Sequence, residues 1–150
     1  MSKLLKVLLP AVLGIVLLSS CSSLRYTSRV GGLTYNKDLP VLIVPFHDPS
    51  TNGERELVNQ LLRHGFDVIS VGHRYHSHKG GHRDYNGKNA YILDIKCSSE
   101  PGSRNIYDSF YATLTDGTSG RMICTFDLTK PMRAKKTMKQ LVCRMDRLIK

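Results

Sequence analysis

Residues 41–71, VLIVPFHDPSTNGERELVNQLLRHGFDVISV, read as strand, helix, strand, and that reading decides the fold. Val41, Leu42, Ile43 and Val44 make a continuous apolar run closed by Pro45 and Phe46, the pattern of a strand buried on both faces. Over residues 54–64, Leu57, Val58, Leu61 and Leu62 recur at the spacing of one helical face, with Thr51 and Glu54 set as a capping box and Gly65 as the stop. Residues 66–71 are a second short apolar strand. A helix of about eleven residues between two such strands predicts a βαβ unit with parallel strands and a right-handed crossover.

Downstream the hydrophobic period drops to two. Residues 90–97 put Tyr91, Leu93, Ile95 and Cys97 on one face, and residues 107–115 and 121–128 flank the turn sequence DGTSG, which predicts a hairpin. Setting Thr115 opposite Arg121 pairs Leu114 with Met122, Ala112 with Cys124 and Phe110 with Phe126, all on one face. Cys97 and Cys124 then belong to the core, and the central strand of a meander separates them, so no bond between them is expected. In the closing segment, 133–150, Met138, Leu141, Val142, Met145, Leu148 and Ile149 share one helical face, while Lys136, Lys139, Cys143, Arg147 and Lys150 share the other. The predicted fold is α/β (α+β): a mixed five-stranded sheet with element order β-α-β-β-β-α and the helices packed on it.

Upstream of this domain Lys3 and Lys6 precede an apolar stretch, 7–18, that runs into Ser19, Ser20 and Cys21. That is the anatomy of a secretory signal. Twelve apolar residues interrupted by Pro10 and Gly14 are too few for a spanning helix, which needs about twenty. The order Leu18, Ser19, Ser20, Cys21 resembles the lipobox of bacterial lipoproteins. That likeness implies cleavage between Ser20 and Cys21, acylation of Cys21, and membrane attachment made durable by several acyl chains. Ser22 resembles the pattern sorted to the outer membrane, so the expected address is its periplasmic face. The chain then divides into a signal peptide, 1–20, a flexible tether, 21–38, and a single α/β domain, 39–150. Eighteen tether residues reach about 60 Å extended or about 25 Å as a coil.

The 150 residues carry 22 Lys and Arg against 12 Asp and Glu, a formal charge of +10. A balance so basic raises nucleic acid first. The envelope address excludes that partner, and two of the charges leave with the signal. Of the remaining excess, seven charges come from residues 130–150, which hold eight basic side chains and one acid, Asp146. The helix is thus either solvated by its own charges or an electrostatic contact surface, formed by Lys136, Lys139, Arg147 and Lys150, for an envelope protein, peptidoglycan or anionic leaflet. Cys143 in that stripe is either exposed, where Lys139 and Arg147 favour its thiolate and an interchain disulfide would make a homodimer, or turned partly inward. Three cysteines in the mature chain are an odd number, which excludes a simple disulfide framework.

The loop 72–89 holds His73, His76, His78 and His82 among Arg74, Lys79, Arg83, Lys88, Tyr75 and Tyr85. Four imidazoles suit Zn or Cu, and a periplasmic metal-binding role through residues 73–82 is the alternative function. Their spacing matches no standard structural zinc site, and the neighbouring cations oppose a bound one. The same loop reads equally as a solvated segment gaining charge below about pH 6.5, or as an aromatic contact surface. No other cofactor is implied. Catalysis has little support: DGTSG lacks the G-x-S-x-G spacing around Ser119, and His47 and Asp48, after the first strand, have no identifiable nucleophile beside them.

In sequence and order, VLIVPF, ELVNQLLRHGFDVISV, NAYILDIK and YATLTDGTSGRMICTFDL followed by a terminal helix resemble a small α/β envelope domain. It is shared by the amino-terminal part of TolB, the penicillin-binding-protein activator lipoproteins and the curli secretion lipoprotein. Pro45, Phe46, Phe66, Tyr91, Asp116 and Gly120 fall at matching places over about residues 39–129. The resemblance implies a non-catalytic scaffold that binds other envelope proteins. The short tether and the absence of a propeller or membrane-inserting strands depart from those relatives, so it implies no particular partner.

Overall fold

The computed structural model describes residues 24–28, 36–50, 52–70 and 89–149. In chain order the elements are β1 (Leu24–Ser28), β2 (Val41–Ile43), α1 (Gly53–Arg63), β3 (Val68–Ser70), β4 (Tyr91–Ser98), β5 (Ile106–Tyr107), β6 (Ser109–Asp116), β7 (Met122–Leu128), β8 (Met132–Arg133) and α2 (Ala134–Leu148).

The decisive stretch folds as its pattern requires. β2 pairs in parallel with β3, Val41 opposite Val68, and also with β4, Val41 opposite Tyr91, so β2 is interior to the sheet. An interior parallel strand is covered on both faces, and Val41, Leu42 and Ile43 are all buried. β4, β6 and β7 follow as an antiparallel meander. Both helices lie on one side, where Leu57 and Leu61 of α1 and Met138, Leu141, Val142 and Met145 of α2 join Val41, Ile43, Leu93, Ile95, Phe110, Leu114 and Phe126 in the main core. On the other side Leu42, Ala90 and Ile92 form a small apolar cluster. Farther along that face Arg25, Lys96, Tyr111 and Asp127 are exposed.

The sheet has six strands in the order β1-β7-β6-β4-β2-β3, with β5 and β8 pairing separately, so the five-stranded expectation is short by one strand and one small ribbon. The missing strand is β1. Leu24–Ser28, assigned from sequence to the tether, pairs antiparallel with β7 from Leu24 opposite Leu128 to Ser28 opposite Cys124. Leu24 is buried, and the Tyr26 ring lies 6.4 Å from that of Phe126 with the Arg144 guanidinium 5.3 Å above it. The composition of the segment is that of a linker. Leu24 and Tyr26, two residues apart, both turn toward the helices, and that alternation is what makes the segment an edge strand.

The far end of the assigned tether is docked as well. The Tyr91 hydroxyl donates to the Asn36 carbonyl at 2.9 Å, and Lys37 forms an ion pair described below.

The hairpin register differs from the expected one by two residues: Leu114 faces Cys124 and Ala112 faces Phe126, with a bulge between Leu114 and Thr115 that brings Thr115 opposite Met122. As far as the bulge the even slip keeps side chains on their faces, so Phe110, Ala112, Leu114, Cys124 and Phe126 are all buried as expected. Met122, expected opposite Leu114, is carried by the bulge to Thr115 and is only half-buried, while Ile123 is buried. The slip is taken up in the turn. Asp116 accepts from the Thr118 amide at 2.9 Å and the Ser119 hydroxyl at 2.6 Å, and Gly120 occupies positive φ at 69°.

Candidate functional site

The helix α2 is oriented as its periodicity predicts. Met138, Leu141, Val142 and Met145 are buried, while Lys136, Lys139 and Arg147 are exposed. Its first turn holds no acid although Lys135 and Lys136 sit there, so positive side chains stand at the positive end of the helix dipole. Lys150 lies outside the described residues, as do Ser20, Cys21 and the histidines His73, His76, His78 and His82.

Cys143 is not the exposed centre of the basic stripe; it is half-buried and turned toward α1. Its Sγ lies 3.9 Å from Nε2 of His64, the residue that caps the C-terminus of α1. On the opposite side of the ring, Nδ1 of His64 lies 3.0 Å from Oδ2 of Asp146. The second carboxylate oxygen of Asp146 receives Lys37 Nζ at 2.6 Å, and that ammonium also sits 5.0 Å over the Phe66 ring. Thiol, imidazole, carboxylate and ammonium thus form one chain of contacts across the α1–α2 seam. The Lys37 ammonium first, then His64, hold the Asp146 carboxyl below its ordinary range.

Two of these four positions were within reach of sequence. Asp146 follows Cys143 by three residues, which puts both on one helical face. His64 and Lys37 join only because α1 packs on α2 and the assigned tether folds back, neither of which a periodicity reveals.

A second polar cluster lies where the carboxyl ends of the parallel strands meet α1. Asp48 accepts from the Ser50 amide at 2.9 Å, the Glu54 amide at 2.9 Å and the Tyr107 hydroxyl at 2.7 Å. Ser50 Oγ accepts from the Gly53 amide at 2.8 Å. Asp48 and Ser50 thereby cap the helix that was expected to carry a Thr51–Glu54 box; Thr51 lies outside the described residues. With three donors on its carboxylate, Asp48 is spent on the fold. Burial is the first cause that pushes the Tyr107 hydroxyl up from its ordinary value.

The other two thiols are unlike Cys143. Cys97 and Cys124 are each pushed up to about 12 by burial, Cys97 with help from the Asp48 charge. All three are free, and β6 separates β4 from β7 as the meander requires. Among the described residues no group of three or more His, Cys, Asp or Glu is arranged to hold a metal ion. Nor is any helix among them long and apolar enough to cross a membrane.

No family profile and no curated protein matches the chain. Among solved structures it is similar to a PelC dodecamer from Paraburkholderia phytofirmans, a single-substitution form in space group C2. The alignment has a TM-score of 0.51 at 15% identity and covers 85% of this chain and 98% of that one. A PelC dodecamer from the same organism in space group P6 aligns with a TM-score of 0.49 at 13% identity, over 85% of this chain and 97% of that one. At such identities the likeness is one of fold.

Proposed function

We propose that this protein is a non-catalytic, lipid-anchored lipoprotein of the periplasmic face of the outer membrane, acting as an assembly module that associates with copies of itself and with an envelope protein or peptidoglycan. Strand β1 is the observation that carries this reading. If Cys21 is acylated, only Ser22 and Ser23 separate it from Leu24, and three residues span about 10 Å. The anchor is then built into the sheet edge, and the domain lies against the bilayer instead of ranging from it on a tether of about 60 Å.

Charge supports that posture. Leu24 pairs with Leu128, so the anchored end of β1 is also where β7 gives way to Lys130, Arg133 and the first turn of α2 with Lys135 and Lys136. Each cation beside an anionic leaflet contributes about 1 kcal/mol. Self-association is supported by the dodecameric state of the PelC structure that shares the fold. Sheet edges at β1 and β3 and the exposed apolar residues Leu62 and Ile69 offer surfaces for it.

The mature protein extracted in mild detergent should run as a multiple of the protomer mass by native mass spectrometry. Cys21→Ser should leave the membrane fraction. A monomer at micromolar concentration overturns the assembly reading, and a membrane-bound Cys21→Ser chain overturns the anchor.

A further inference from the structure

We infer that Cys143 is a nucleophilic thiol served by His64 as its proton acceptor, and that it forms mixed disulfides with small anionic disulfides. This inference is independent of how the chain is anchored or assembled.

The geometry supplies each role. In the neutral imidazole one nitrogen carries the proton and the other a lone pair, and the hydrogen bond made by the first decides which is which. Asp146, an acceptor, faces Nδ1 at 3.0 Å, so the proton sits on Nδ1 and the lone pair of Nε2 points at Cys143 Sγ. The separation of 3.9 Å is the loose contact typical of a thiol and its base before a reactant arrives. Asp146 is a positioning residue: it orients the ring and stabilises the imidazolium that forms, and Lys37 holds Asp146 in turn. Cys143 retains access to solvent, whereas Cys124 is fully buried.

The exchange balances without an added oxidant. The Cys143 proton passes to Nε2 of His64, and the thiolate attacks one sulfur of R–S–S–R. The S–S bond breaks as Cys143–S–S–R forms, and the departing RS⁻ takes the proton from His64 to leave as RSH. Cys143 is oxidised to the mixed disulfide, and one sulfur of the reagent is reduced to a thiol.

The surroundings choose the reactant. Lys139 and Arg147 stand one helical turn on either side of Cys143, Lys37 lies beyond Asp146, and Arg63 precedes His64. These cations favour a disulfide that carries carboxylates. They disfavour a symmetric Cys143–Cys143 bridge, whose Cα atoms would lie about 5.5 Å apart and press the Lys139 and Arg147 pairs of two copies together.

The test uses the full chain, oxidised glutathione as the probe, and peptide-resolved mass spectrometry. At pH 7 Cys143 should gain the adduct about 10-fold faster than Cys97 or Cys124, and about 10-fold faster than the same thiol in His64→Gln. Asp146→Asn should slow it less. Both variants should converge on wild type near pH 10, where thiols ionise without a base, a convergence that a structural role alone would not produce. A neutral disulfide, hydroxyethyl disulfide, should react more slowly than glutathione disulfide.

Equal rates at the three cysteines, or a His64→Gln chain as fast as wild type at pH 7, overturn the proposal. So does a Cys143–Cys143 dimer as the main product. Neutral and anionic disulfides reacting alike overturn its charge preference. Should His64→Gln fail to fold by circular dichroism, the wild-type rate at Cys143 against that in 8 M urea decides: no excess in the folded chain refutes the activation.

Discussion

Asp146 ties three separate segments together. Lys37, which precedes β2, and His64, which ends α1, both meet it on α2. The pair is about one-third exposed, so its worth is that of a surface network, about 1 kcal/mol. Asp146→Asn should lose that amount in urea denaturation at pH 7. The carboxyl is held below its ordinary value, so its contribution is present above the unfolded value of about 3.9 and is lost as the pH falls through the lower folded one. The gap between wild type and Asp146→Asn should therefore close in acid.

Gly53 poses a steric question instead. A Cβ there would overlap the Tyr107 hydroxyl and crowd the Asp48 carboxylate and Ser50 Oγ. Tyr107 is rigid and fully buried, and the other two are fixed by capping bonds. Gly53→Ala should lower stability by about 2 kcal/mol, read as a fall in Tm of about 10 °C, even though alanine favours a helix.

Among elements, periodicity made α1 and α2 legible and left their packing on each other hidden. Met138 and Leu141 are fully buried where the helical wheel put them, so Leu141→Ala should cost about 3 kcal/mol in chemical denaturation while Lys139→Ala stays within about 0.5. The wheel failed at Leu62, 55% exposed because the buried face of α1 is centred on Leu57, Gln60 and Leu61. It was also silent about Cys143, where rotation by a fraction of a turn separates a solvated thiol from one facing His64. The hairpin shows what alternation specifies: face is fixed and register is free to slip by two, because only an odd slip would expose Phe110 and Phe126. β1 escaped notice because an edge strand needs only one inward row, and five residues of mixed composition do not announce it.

For the whole molecule, the basic excess is a local property. Seven charges of it lie in 130–150, and residues 21–129 are near neutral. Charge reversal of Lys130, Arg133, Lys135 and Lys136 to glutamate should weaken binding of the full chain to vesicles containing anionic phospholipid, and leave binding to neutral vesicles unchanged, in flotation assays.

The pairing of β1 with β7 also sets an order of events. Leu24 finds its partner about a hundred residues later, at Leu128. Contacts so distant along the chain form late, after local hairpins and the βαβ unit have closed. During synthesis the amino-terminal segment emerges first and must wait for β7 to follow it. The sheet therefore gains its outermost strand last, when synthesis is nearly done, and a chain stalled or cut before residue 122 would leave β1 with no strand to pair with.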